Sequence, residues 1–173
     1  MPRVDIEHLP DHARVWLFAA SRELAPEERD GLLAGVDVFL DAWAAHGTLL
    51  TGARDWRYER FLIVAVDEEA AGVSGCSIDA LTRMLRDVER RLGIELLDNA
   101  PVLYRRGDTV ERISRAQFGE LVRSGDVPPE TVVFDNTVAT LGAIRAGKWE
   151  TTARNTWHGR AFFDLARPPA SAK

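Results

Sequence analysis

The run FLIVAV, residues 61–66, is an unbroken series of apolar residues, and RVWLFAA, residues 14–20, is nearly so. A strand that faces water on one side alternates apolar with polar residues, whereas an unbroken apolar run predicts a strand buried on both faces. Any fold of this chain must therefore cover two faces of one sheet. We expect the C-terminal segment to supply the second cover through Trp157, Phe162 and Phe163, and a second copy of the chain is the alternative.

Helix and turn signals around these runs predict the order strand, helix, strand, strand, helix. The first helix is expected over Pro26–Gly47, and the second over Ser77–Leu92 with Gly93 as its stop. LLTGARDWRY and RFLIVAVD predict the intervening hairpin. With Pro101–Arg105 as a fourth strand, this is the split βαβ order of a ferredoxin-like domain.

The second half of the chain contains the clearest helix start. Ser114 and Gln117 have the spacing of a capping box, and Ile113 and Phe118 occupy the positions of a hydrophobic staple. Before this helix, PVLYRRGDTVERIS predicts a hairpin that turns at its Gly-Asp pair. After it, TVVF is expected to form a short strand, and KWETT is a weaker candidate for another.

Composition limits the partners that the chain can have. It has 173 residues, a net charge of −5 and a single cysteine. The negative charge argues against nucleic acid as a partner, and no apolar run approaches the ~18 residues that a membrane span requires. One cysteine forms no internal disulfide, which fits a reducing compartment. We therefore expect a cytoplasmic protein with no nucleic-acid partner and no membrane contact.

Residues 101–152 resemble the small GYF-type domain in its bacterial variant form. The resemblance rests on Tyr104 in a hairpin, Phe118 in a helix, the stretch SGDVPPETVV, and Trp149 near the end. It implies a ββαβ unit that binds proline-rich or extended segments of partner proteins through an aromatic groove. Tyr104, Phe118 and Trp149 are the residues that the resemblance assigns to peptide binding.

The whole chain also resembles a family of uncharacterised bacterial cytosolic proteins, through RFLIVAVDEEAAGVSGCSID, TVVFDNTV and NTWHGRAFF. Some members of that family carry an ABC-transporter ATPase label. Residues 142–148 of this chain do spell GxxxxGK, but Trp149 follows the lysine where a phosphate-binding loop needs Ser or Thr. We therefore do not expect a P-loop ATPase.

Together these patterns predict an α+β protein with two halves and a tail. The ferredoxin-like half is expected over residues 12–100. The GYF-like half, packed on the first and ending in the aromatic C-terminal segment, is expected over residues 101–165. Residues 166–173 are predicted to be a disordered tail, as chain ends often are.

The lone cysteine, Cys76, lies just past FLIVAV at the start of the second predicted helix. Unpaired amides in the first turn of a helix favour an anion and lower the pKa of a thiol. Three hypotheses follow: a reactive thiol with His158 as its base, a turn that binds a small anionic ligand, or a residue that only packs. The ligand-binding set would be Ser74, Gly75, Cys76, Ser77, Asp79 and Arg160.

The sequence contains no complete catalytic set and no clustered metal-ligand spacing. His8 and His12 are four residues apart, but Pro10 argues against a continuous helix that would aim both at one ion. We therefore predict no metal and no cofactor. The leading hypothesis is a binding or adapter protein, monomeric or homodimeric, that recognises a proline-rich or extended partner segment or a small anionic ligand. The alternative is a cysteine-dependent small-molecule enzyme that uses Cys76 and His158.

Overall fold

The structure is a computed structural model that describes residues 3–69 and 72–163. Its helices and strands follow in chain order: β1 (Arg14–Ala19), α1 (Pro26–Ala42), β2 (Ala44–Ala45), β3 (Thr48–Leu49), β4 (Thr51–Arg57), β5 (Phe61–Asp67), α2 (Gly75–Leu92), β6 (Val102–Arg106), β7 (Thr109–Ile113), α3 (Arg115–Ser124), β8 (Val132–Phe134), α4 (Leu141–Arg145), β9 (Glu150–Thr152) and α5 (Trp157–Phe162). These strands pair antiparallel, so the predicted α+β class is confirmed. The predicted tail, residues 166–173, lies outside the described residues. In the part of the chain that is described, the helices lack the combination of length and apolar content that crossing a bilayer demands.

The chain divides into two compact units. The first comprises Met1–Asn99 and Asn136–Ala146, and the second comprises Ala100–Asp135 and Gly147–Lys173. The predicted boundary near residue 100 is close to the observed one, but the return of residues 136–146 to the first unit has no signal in the sequence pattern.

The main sheet of the first unit has the strand order β1-β5-β4, with β5 in the middle and antiparallel to both neighbours. Ile63 of β5 lies opposite Leu17 of β1 on one side and opposite Asp55 of β4 on the other. The central position explains the unbroken apolar run, because every residue of Phe61–Val66 is fully buried. Alternate residues of β5 join a core formed with α1 and α2, which includes Leu32, Val36, Leu40, Leu81, Leu85 and Val88.

The prediction that Pro101–Arg105 forms the fourth strand of this sheet was wrong. β6, which contains most of Pro101–Arg105, pairs with β7 and β8 in the second unit. The outer edge of β1 is instead met by the returning segment, where Thr140 bridges Arg14 and the Val15 amide donates to the Ala139 carbonyl at 3.0 Å. Sequence patterns missed this pairing because the returning segment is too short to read as a strand.

The helices of the first unit begin and end near the predicted residues, with one exception. α2 starts at Gly75 because Ser74 caps its first turn, and it stops at Gly93 with a left-handed φ of 63°. α1 ends at Ala42, short of the predicted stop. Gly47, the expected cap, instead adopts a φ of 80° in the turn between β2 and β3.

The second unit contains a sheet with the strand order β7-β6-β8-β9 and the helix α3. The capping box that the sequence predicts is formed. The Gln117 amide donates to Ser114 Oγ at 3.2 Å, and the Ser114 amide donates to Gln117 Oε1 at 3.0 Å. α3 buries Phe118 in a core that includes Val102, Tyr104, Val127, Val133 and Ala153, against which Phe162 and Phe163 pack.

The GxxxxGK stretch begins inside a helix rather than in a loop after a buried strand. α4 covers its first half, and Thr140 caps this helix by accepting a hydrogen bond from the Ala143 amide. A Cβ at Gly142 would lie 2.9 Å from the Cβ of Asp11, so close packing requires glycine there. This stretch therefore serves to dock α4 on the N-terminal segment.

Candidate functional site

The cap and first turns of α2 contain most of the predicted ligand-binding residues. Gly75 and Cys76 are exposed, and a Cβ built at Gly75 would meet no atom within 4 Å, so this side of the turn faces open space. Ser74 and Ser77 bind each other: the Ser77 amide donates to Ser74 Oγ at 3.2 Å, and the Ser74 amide donates to Ser77 Oγ at 3.0 Å. The two serines thus form the cap of α2, and Asp79 is exposed further along the helix.

His158, the base of the enzyme hypothesis, lies in α5 of the second unit, whereas Cys76 belongs to the first unit. Its side chain is buried, its Nδ1 lies 2.8 Å from Thr156 Oγ1, and its ring stacks on Trp157. Burial lowers the pKa of His158 to about 4. An imidazole with so low a pKa accepts a proton from a thiol poorly. Arg160, also on α5, is exposed.

The three aromatic residues assigned to peptide binding lie in the interior of the second unit. Tyr104, Phe118 and Trp149 are 3%, 0% and 1% exposed. Tyr104 contacts Phe118 edge-on with ring centroids 5.6 Å apart, and Trp149 packs on Phe134 with centroids 5.2 Å apart. The assignment therefore needs correction: these three rings are buried in the interior, so they offer no surface to a partner peptide.

A groove of about 230 Å³ lies in the first unit, beside the outer edge of β1. One wall is formed by Arg14–Phe18, and the other by Asn99 and Asn136–Ala139. Among the described residues, the returning segment pairs with β1 at Arg14 and Val15, and the groove lies where this pairing is not continued. We call it the β1-edge groove.

Alternation along β1 decides which main-chain groups face this groove. In an antiparallel sheet, successive residues direct their N–H and C=O groups to one side and then to the other. Because the Val15 amide points to Ala139, Leu17 directs its main-chain groups away from β5 as well. Across residues 3–69 and 72–163, no hydrogen bond reaches this outer side of Leu17. Leu17 is only 4% exposed, so its polar groups need a partner in the groove.

A cluster of three metal-ligating side chains lies elsewhere in the first unit. His12 Nε2 is 3.4 Å from Asp67 Oδ1 and 3.3 Å from Glu69 Oε1. One donor atom from each of the three side chains lies within 4.8 Å of the others. His12 and Glu69 are exposed, and Asp67 is half-buried at the end of β5.

The β1-edge groove and the His12 cluster differ in the sequence signal that each leaves. A strand edge consists of main-chain atoms, so no side-chain pattern indicated the β1-edge groove. The His12 cluster could have been found from the sequence, because the sequence predicts both β1 and β5. When the two strands pair with Arg14 opposite Val66, His12 comes to the level of residues 67–69.

No protein-family model, curated protein or solved structure matches the chain. The resemblances to the GYF-type domain and to the bacterial cytosolic family therefore stay predictions.

Proposed function

We propose that this protein is a non-catalytic binding or adapter protein that takes an extended segment of a partner protein as an added strand beside β1. The observation that carries the proposal is the outer edge of β1 at Leu17, where main-chain groups face a groove instead of a neighbouring strand. Adding a strand to an open sheet edge is a common mode of peptide recognition, in which main-chain hydrogen bonds supply affinity and side-chain contacts supply specificity.

The returning segment suggests the direction of the added strand. Thr140 pairs antiparallel with Arg14, and a partner strand that lay between β1 and residues 136–138 would run opposite Trp16, Leu17 and Phe18. A strand rises about 3.3 Å per residue, so the contact would be a few residues long and about 10 Å in length. Such a short contact favours a transient complex.

The chemistry of strand addition narrows the class of partner. Each added residue that faces β1 must offer a main-chain N–H, which proline lacks. An extended segment without proline at these positions therefore fits better than a proline-rich one. Trp16 lines the groove and is only partly buried, so we expect an apolar side chain of the partner to pack there.

We also propose a ferredoxin-like arrangement for the first unit, a GYF-like arrangement for the second unit and a cytoplasmic setting. The order β1-β5-β4, with α1 connecting β1 to the β4–β5 hairpin and α2 after it, supports a ferredoxin-like arrangement that lacks its own fourth strand. The order β6, β7, α3, β8 supports a GYF-like second unit. The single cysteine supports a cytoplasmic setting.

A displayed library of random linear peptides, selected against the whole chain, tests the proposal. Enriched peptides are then measured by fluorescence anisotropy against two matched variants. Thr137→Trp places a large side chain at an exposed position that lines the β1-edge groove. Thr48→Trp makes the same change at an exposed position on β3, which does not line the groove.

We expect Thr137→Trp to weaken peptide binding at least tenfold, about 1.4 kcal/mol, because a filled groove excludes the added strand. Thr48→Trp is expected to bind as the unchanged protein does. Cys76→Ser should also bind normally, since Cys76 is exposed in the first turn of α2 and does not line the groove. Failure to enrich any peptide, or equal binding by the two tryptophan variants, would refute the proposal.

A further inference from the structure

We propose that His12, Asp67 and Glu69 form a binding site for a divalent transition-metal cation of the zinc class. The three side chains come from two separate parts of the first unit, the turn before β1 and the end of β5. One imidazole nitrogen and two carboxylate oxygens from these side chains lie within 4.8 Å of one another. This set lies apart from the residues that line the β1-edge groove and does not depend on peptide binding.

The distances fit a shared cation better than they fit hydrogen bonds. A charge-assisted N–H···O bond to a carboxylate spans about 2.7–2.9 Å, whereas Nε2 of His12 lies 3.4 Å from Asp67 and 3.3 Å from Glu69. Zinc bonds to nitrogen and oxygen are about 2.0–2.2 Å long, so two ligands at a tetrahedral angle lie about 3.3–3.5 Å apart. Both measured separations match that value.

The number of protons on His12 Nε2 also favours a shared cation over hydrogen bonds. Nε2 of His12 carries at most one proton, yet it faces oxygen atoms of two carboxylates. One N–H group shared between both acceptors makes only a weak hydrogen bond to each, and a bare nitrogen lone pair would repel both. A cation placed between the three atoms accepts a lone pair from each of them.

A turn directly after β5 brings the two acidic residues together. β5 ends at Asp67, and the Glu69 amide donates a hydrogen bond to Asp67 Oδ1 at 3.0 Å. Glu68, between them, lies 3.4 Å from Arg14 in a separate ion pair. Two zinc ligands must lie close together, so the carboxylate oxygens of Asp67 and Glu69 must approach each other. Since Glu69 is exposed, its long side chain can move to bring its oxygen closer to that of Asp67.

The donor types select the class of ion. Calcium and magnesium prefer an all-oxygen shell, whereas imidazole suits zinc and the neighbouring transition metals. Three protein ligands leave a fourth position for water or a further ligand, as in zinc sites that are not purely structural.

Isothermal titration of the chelator-treated, tag-free full chain with Zn²⁺ at neutral pH tests the site. We expect one equivalent to bind. His12→Gln and Asp67→Asn should each weaken binding at least tenfold, since even indirect partners of a metal site contribute 10–100-fold. The signals of the His12 ring in an NMR spectrum should shift on the same titration.

Two matched variants separate this site from adventitious binding. Glu68→Gln removes the neighbouring carboxylate that pairs with Arg14, and His8→Gln removes another exposed histidine of the N-terminal segment. Both are expected to bind Zn²⁺ with unchanged affinity. Absence of one-to-one binding, or an equal loss in the His8 and His12 variants, would overturn the proposal. Because the side chain of His12 is exposed and that of Glu68 is partly exposed, unchanged circular dichroism spectra are expected for these variants.

Discussion

The interior of the second unit and the outer edge of β1 in the first unit differ in what they offer a partner. The second unit has the aromatic residues that a peptide groove would use, yet Phe118 is fully buried and Tyr104 packs on it. The edge of β1 has no comparable signature, but its main chain at Leu17 faces a groove. Residue type therefore indicates what a site would need, whereas burial and main-chain pairing decide what the folded chain presents.

The largest expected effect concerns the buried side of this comparison. Phe118→Ala should lower the free energy of unfolding by about 3–5 kcal/mol, because the cavity left by the ring is lined by side chains that cannot close it. Val38→Ala, at a position 72% exposed on α1, should change it by less than about 0.5 kcal/mol. Urea denaturation measures both values. If Phe118→Ala kept the stability of the unchanged protein but no longer bound the selected peptide, Phe118 would belong to the peptide site and the edge of β1 would not be that site.

The pH dependence of stability tests whether the interior of the second unit excludes water from the His158 ring. The pKa of His158 is about 4 in the folded chain against an ordinary value of 6.5, because burial disfavours the charged ring. The unfolded chain therefore takes up a proton first as the pH falls. Stability should be greatest above pH 6.5 and should decline down to about pH 4, by at most about 3 kcal/mol.

His158→Gln is the control for this decline, since glutamine does not titrate. Its stability, measured by urea denaturation across the same pH range, should fall less steeply between pH 6.5 and pH 4. Parallel profiles for the two proteins would show that His158 is not the group responsible, and that this interior is open enough to hydrate a charged ring.

A smaller effect on stability is expected at the N-termini of α2 and α3, each of which is capped by a serine. Ser74 caps α2 and Ser114 caps α3, each through a reciprocal pair of hydrogen bonds with the residue three positions on. Replacing either serine by alanine should lower the free energy of unfolding by about 1 kcal/mol. Neither change should alter peptide affinity in the anisotropy measurement. A selective loss of binding in Ser74→Ala would move the candidate site to the turn before α2.

Much of the local structure could be predicted because it depends on short-range physics. The capping box at Ser114, the glycine stop at Gly93 and the apolar strand Phe61–Val66 each depend on residues close in sequence. The end of α1 was missed because Gly47, a typical stop, was needed for a later turn. Local signals thus located most of the elements but not always their exact bounds.

Long-range pairing accounts for the rest. The strand predicted from Pro101–Arg105 exists, but which sheet it joins depends on contacts with β7 and β8 that no local pattern encodes. The β1-edge groove depends on where the pairing of Thr140 with Arg14 stops. The cluster at His12 depends on the register of β1 against β5. Sites built from such pairings depend on tertiary structure and are not encoded in any local pattern.

Amide hydrogen exchange at Leu17 tests the central claim most directly. If an extended segment adds to the edge of β1, exchange of the Leu17 amide should slow at least tenfold when a selected peptide is present, because the amide gains a hydrogen bond. The amide of Ile63, in the central strand, should not change. Peptide binding that leaves Leu17 exchange unaltered, with protection appearing at α3 or at the turn before α2 instead, would contradict the account.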